Sequence, residues 1–121
     1  MTKGQLEALI SNKMVAFQRE QLGRGAEGAK TYISNDMIVI RMKKSLTPAE
    51  KQLAMTKQGQ GLIKEIRIQL ESIIRPKLEE LMESLTGAKV ISIHNDISTK
   101  TGERIDMFIF NCNLEEQLKL D

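Results

Sequence analysis

A chain of 121 residues fits one domain, spanning 1–121, and is too short for two ordinary ones. Lys and Arg outnumber Asp and Glu by 18 to 16, a net charge of +2, which is too small a balance to argue for binding nucleic acid. The single cysteine, Cys112, excludes an internal disulfide and suits a reducing, cytoplasmic setting. Phe17, Tyr32, Phe108 and Phe110 are the only aromatic residues, so the core must be built from Ile, Leu, Val and Met. The opening MTKGQLEALISNKM is amphipathic and has no continuous apolar stretch, so a secretory leader is not expected. The longest strictly apolar runs, residues 37–40 among them, are far below the ~20 residues that span a bilayer, so no transmembrane segment is expected.

Leu6, Leu9, Ile10, Met14 and Phe17 recur at helical spacing and predict an amphipathic helix over residues 3–22, with Thr2 and Gln5 spaced as a capping box. Gly23, Gly25 and Gly28 end it. Two β-rich runs then flank Ser34, Asn35 and Asp36, whose side chains favour turns, and predict a hairpin. Thr47-Pro48-Ala49-Glu50 starts a second helix: a capping hydroxyl, a proline suited to the first helical position, and a carboxylate able to reach back. Gly59 and Gly61 predict a break near residues 58–60, after which an apolar stripe runs from Leu62 to Leu85. Pro76 lies inside that stripe and predicts a kink or a cut, and Gly87 closes the helix. Residues 90–97 and 104–110 read as strands around a polar loop, and the tail from Asn113 reads as a short or frayed helix.

The fold class expected is α+β: two β-hairpins joined into a four-stranded antiparallel sheet, with the N-terminal helix and the long central helix packed on it. The central stripe carries more apolar surface than one small sheet face covers, which predicts a homodimer.

No constellation of catalytic spacing is present, so a binding protein is expected rather than an enzyme, with no metal and no cofactor. The segment 94–103 is the richest in polar chemistry. His94, Asp96, Thr99 and Lys100 offer donors, acceptors and both charge signs between two strands, and are candidates for contact with a ligand or partner. Their bland alternative is a long hairpin loop. His94 alternates with Val90 and Ser92 and is expected to face away from the apolar side of its strand. One His and one nearby carboxylate fall short of a zinc site, which commonly needs three or four protein ligands. Arg24 and Gly25 sit in a Gly-Arg-Gly run that follows a helix and precedes a strand, the reverse of a dinucleotide fingerprint, and are candidates for an anion contact. Basic residues gather in the first third: residues 1–46 carry eight Lys and Arg against four Asp and Glu.

Three segments carry a family resemblance: LGRG (22–25), KTYISNDMIVIRMKKSLTPAEKQLA (30–54) and TGAKVISIHNDISTKTGERI (86–105). In order and spacing the chain resembles the MpsC family across most of its length. Members often have proline after LGRG, where this chain has Ala26. The resemblance implies the small component of a sodium-translocating, membrane-potential-generating system. Its larger components resemble an ion-translocating NADH dehydrogenase subunit and a partner linked to inorganic-carbon uptake. The resemblance supplies no catalytic residues. The function expected is a small cytosolic accessory or regulatory subunit that binds a membrane-associated protein complex. The alternative is a sensor of a small ligand, an anion or nucleotide.

Overall fold

Helix α1 (Lys3–Leu22) begins on a complete capping box: the Thr2 hydroxyl accepts from the Gln5 amide at 3.1 Å, and the Gln5 side chain accepts from the Thr2 amide at 2.9 Å. The structure is a computed structural model that describes residues 1–23 and 27–119. Strands β1 (Gly28–Ser34) and β2 (Met37–Lys43) form the first hairpin, with Asn35 in the left-handed region that Asn tolerates at turns (φ 56°). Helix α2 (Pro48–Leu53) and helix α3 (Lys57–Thr86) follow, then β3 (Val90–Ile97), β4 (Arg104–Phe110) and a short α4 (Leu114–Lys119).

The sheet is four-stranded and antiparallel in the order β1-β2-β4-β3, so β2 and β4 join the two hairpins at its centre. The expected α+β architecture is therefore the observed one. One face carries the core: Ile33 of β1, Ile38, Ile40 and Met42 of β2, and Phe108 and Phe110 of β4. Onto it pack Leu6, Ile10, Met14 and Phe17 of α1, and Ile74, Leu78 and Met82 of α3. The opposite face has a central row formed by Tyr32, Val39, Met107 and His94, paired across the four strands.

Three expectations change in detail. The break falls at Ala54–Thr56 rather than at residues 58–60, because Thr56 caps α3 by accepting from the Gly59 amide at 2.9 Å. Pro76 does not cut α3, which runs unbroken for 30 residues. The carbonyl that Pro76 cannot bond belongs to Ser72, and both residues are exposed, where water can serve that carbonyl. Strand β3 shifts register between Val90 and Ser92, so Val90 pairs with Phe110 and packs on the core while Ile91 is left 63% exposed. His94 therefore shares its face with Ser92 but not with Val90. Only part of the α3 stripe is covered: Ile63, Ile74, Leu78 and Met82 are buried, while Leu62, Ile66 and Ile73 are exposed.

Candidate functional site

On β4 the core face reads Arg104, Asp106, Phe108, Phe110, and all four are buried. Two charged side chains thus occupy the positions where the alternation of the strand calls for apolar ones. They persist there because α3 brings a third charge to them. Arg104 Nη2 lies 2.5 Å from Glu71 Oε1 and donates to Asp106 Oδ1 at 2.9 Å, while its Nε donates to Asp106 Oδ2 at 3.2 Å. Arg104 is 2% exposed and Asp106 is fully buried.

One helical turn earlier on α3, Arg67 forms a second buried pair. Its Nε and Nη2 donate to the two oxygens of Glu50 at 2.7 and 2.6 Å, and Nη2 also donates to the Ser45 carbonyl at 2.8 Å. Glu50 is also the capping residue of α2, accepting from the Thr47 amide at 2.9 Å. One carboxylate therefore fixes the start of α2 and ties it to α3. Forked, charge-assisted pairs of this kind are the strong class of hydrogen bond.

The two carboxylates are tuned in opposite directions. Burial pushes Glu50 up, but the Arg67 hydrogen bonds and the Thr47 amide together hold it below the ordinary carboxylate range. Burial pushes Glu71 up and prevails over the attraction of Arg104, with the Asp106 charge acting in the same direction as burial. For Arg104 burial disfavours the charge, but Asp106 and Glu71 more than offset it. The linkage signs follow. Glu50 contributes stability that is present above its unfolded pKa and lost as pH falls through its folded value. Glu71 carries a penalty at neutral pH that is relieved as pH falls through its raised folded value.

Beside this network a groove of about 410 Å³ runs between α3 and the edge strand β3, lined by Ile68, Glu71, Ser72, Arg75, Leu78, Ile93, His94 and Asn95. It adjoins a recess of about 110 Å³ where Lys64, Arg67 and Arg104 meet Glu71, Asn95 and Asp96. Among the described residues, the buried Nη1 of Arg67 and hydroxyl of Ser45 have no hydrogen-bond partner, and Glu71 Oε1 has only its ion contact with Arg104. Buried polar atoms are normally paired, so a recess lined by Arg67 and Glu71 has the chemistry to hold a small polar ligand. No group of three or more His, Cys, Asp or Glu able to hold a metal occurs among the described residues.

The candidate residues read from the sequence are divided by the structure. His94 and Asp96 border the groove and its recess, within β3, the strand expected over residues 90–97. His94 Nε2 lies 3.2 Å from the Ser92 hydroxyl, and Asp96 lies 3.7 Å from Lys64. The connection itself is only residues 98–103, closed by the Gly102 amide donating to the Ser98 carbonyl at 2.7 Å. Thr99 and Lys100 line a separate concavity of about 330 Å³ with Lys44, Lys51 and Met55. Arg24 and Gly25 lie outside the described residues. Sequence reasoning missed Glu50, Arg67, Glu71, Arg104 and Asp106. Two signals were available: Arg104 and Asp106 share parity with Phe108 and Phe110, and Arg67 and Glu71 share a helix face with Ile63, Ile74 and Leu78.

No described helix is long and apolar enough to cross a membrane. No solved structure matches the chain. The uncharacterized protein YbcI of Bacillus subtilis (strain 168) is 37% identical over 118 residues, covering 98% of this chain and 95% of its own length. The uncharacterized protein YrhF of the same organism is 27% identical over 102 residues, covering 84% of each chain. The family model described as "Na+-translocating membrane potential-generating system (MpsC)" matches residues 2–112. With that match running through every strand and all three helices that precede α4, the chain belongs to the MpsC family.

Proposed function

We propose that this protein is a cytoplasmic accessory subunit of the sodium-translocating system for which its family is named, acting by protein binding rather than catalysis. The observation that supports this reading is the uncovered face of the sheet. An antiparallel sheet left open to water normally carries polar residues on that side. Here Tyr32 is 44% and Ile105 38% exposed, and Met37, Val39, Met107 and Ile109 are only half-buried. Lys30, the Arg41–Glu103 pair and His94 surround them. An apolar centre within a charged rim is the anatomy of a protein contact surface.

The test is Met107→Lys, which places a charge at the centre of that face and leaves the opposite, core face intact. The variant is expected to melt within a few degrees of the parent. It is also expected to lose the membrane-complex components that co-purify with the wild-type chain from its native cell. Retention of every one of them would remove this face from consideration.

The same reading includes a homodimer through the exposed flank of α3, where Leu62, Ile66 and Ile73 find no cover within the chain. A monomer mass in light scattering at high concentration counts against it. A second reading, a sensor of a small anionic ligand, is favoured by the unpartnered Arg67 Nη1 beside the recess. It fails if no anion raises the melting temperature, since a ligand bound only to the native state must do so.

A further inference from the structure

At the end of the sheet where β2 finishes and β4 begins, three lysines from three segments meet. Lys44 follows β2, Lys51 lies on α2, and Lys100 lies in the β3–β4 connection; they line one concavity with Leu46, Met55, Thr99 and Thr101. The backbone holds the segments together. The Ser45 amide donates to the Gly102 carbonyl at 2.8 Å, and a Cβ on Gly102 would sit 3.6 Å from the Lys44 Cα. Lys44 adopts φ 55°, an uncommon conformation for lysine.

The acids near this end are already engaged. Glu50 is bound to Arg67 and Glu103 to Arg41, while the exposed Glu27 reaches Lys44 at 3.2 Å. Lys51 and Lys100 form no ion pair with any described residue. Beside them the α2–α3 connection holds Met55 out to solvent at 83% exposure, with Leu53 at 37% next to it. A flexible apolar side chain standing clear of the surface among three ammonium groups, two of them unpaired, has no role in the core.

We propose that this end of the molecule docks directly on an anionic lipid surface, with Met55 entering the headgroup region and Lys44, Lys51 and Lys100 facing the lipid phosphates. The proposal goes beyond the protein-binding reading, because this contact lies at the end of the sheet and not on its open face. Charge complementarity favours lipid over the other polyanions. Protein interfaces are enriched in Arg and aromatic residues and depleted in Lys, whereas this patch contributes three lysines and no aromatic. A single-stranded nucleic-acid site would need a ring for bases to stack on, and the patch has none. Clustered lysines beside an exposed apolar side chain are the elements of reversible interfacial binding.

Flotation of the full chain with phosphatidylcholine vesicles, with and without phosphatidylglycerol, tests it. Binding is expected only to the anionic vesicles and is expected to fall as salt rises. Each lysine near the surface contributes roughly fivefold to affinity, so the double variant Lys51→Ala, Lys100→Ala should bind roughly twenty- to thirtyfold more weakly. Met55→Asp should also weaken binding with no loss of folding, since its side chain packs on little. The control is Lys77→Ala, Lys89→Ala, which removes the same charge from exposed positions elsewhere and should leave binding unchanged. Absence of binding to anionic vesicles overturns the proposal, as does an equal loss in the control. Retention on immobilised polyglutamate together with indifference to vesicles overturns it in favour of an acidic protein partner.

Discussion

Arg104→Ala is expected to lose about 3–5 kcal/mol of unfolding free energy, the range for removing one partner of a buried ion pair. The cost does not come from the value of the lost contacts alone. Asp106 is fully buried and its hydrogen bonds among the described residues come from Arg104. Removing the guanidinium leaves that buried carboxylate without its partner, with Glu71 nearby carrying the same sign. The variant must then take up protons to fold. Its unfolded carboxylates have ordinary values, while the buried ones are pushed up, so the folded state binds protons more tightly. Part of the lost stability should therefore return as pH falls below neutral, in excess of the gain that the raised Glu71 already gives the parent. Urea denaturation of both chains at neutral and mildly acid pH reads both the loss and its partial recovery. If the mutant is destabilised by less than 1 kcal/mol, the three side chains are not acting as one unit. Replacing all three charges with apolar residues of similar volume should cost far less than the single change.

The sequence patterning carried most of the fold because each element has local physics that agrees with its place. The Thr2–Gln5 box, the Asn35 turn and the Thr47–Glu50 box are contacts within four residues, and they form as read. The ion network at the groove was harder to see, because its members are distant in the chain. Glu50 reads as a helix cap, which it is, and nothing in its neighbourhood announces Arg67 seventeen positions away. Arg104 and Asp106 lie two apart on one face of a strand, and it is the β2–β4 register that places them opposite Met42 and Ile40 on the core face. The polar segment 94–103 drew attention through composition, but composition does not say which of its residues share a cavity. Four of its residues belong to β3, and the remainder forms the connection to β4, where Thr99 and Lys100 line a different concavity.

Gly59→Ala is expected to be the most damaging conservative change in the helices, although the sequence reads Gly59 only as a weakness. A helix interior normally gains about 0.5–1 kcal/mol when Gly becomes Ala, because the unfolded chain loses freedom. Gly61 meets that condition: a Cβ there touches nothing within 4 Å, and the residue is exposed. Gly59 is buried, and a Cβ there would lie 1.8 Å from the Leu53 carbonyl oxygen and 2.6 Å from its carbon. The obstacle is backbone, which has no rotamer to yield. The Leu53 carbonyl also accepts from the Thr56 amide at 3.3 Å, so moving it disturbs the connection that turns α2 into α3. Relief requires the two helices to separate, and their joint anchor is the Glu50–Arg67 pair, which would be strained or broken as they part. Overpacking of this kind costs about 1–3 kcal/mol, and more where a buried charge pair is disturbed with it. The two alanine variants should therefore move the urea midpoint in opposite directions from positions only two residues apart. A Gly59→Ala chain as stable as its parent would mean that α2 can leave α3 at little cost, and that Glu50 does not hold them together.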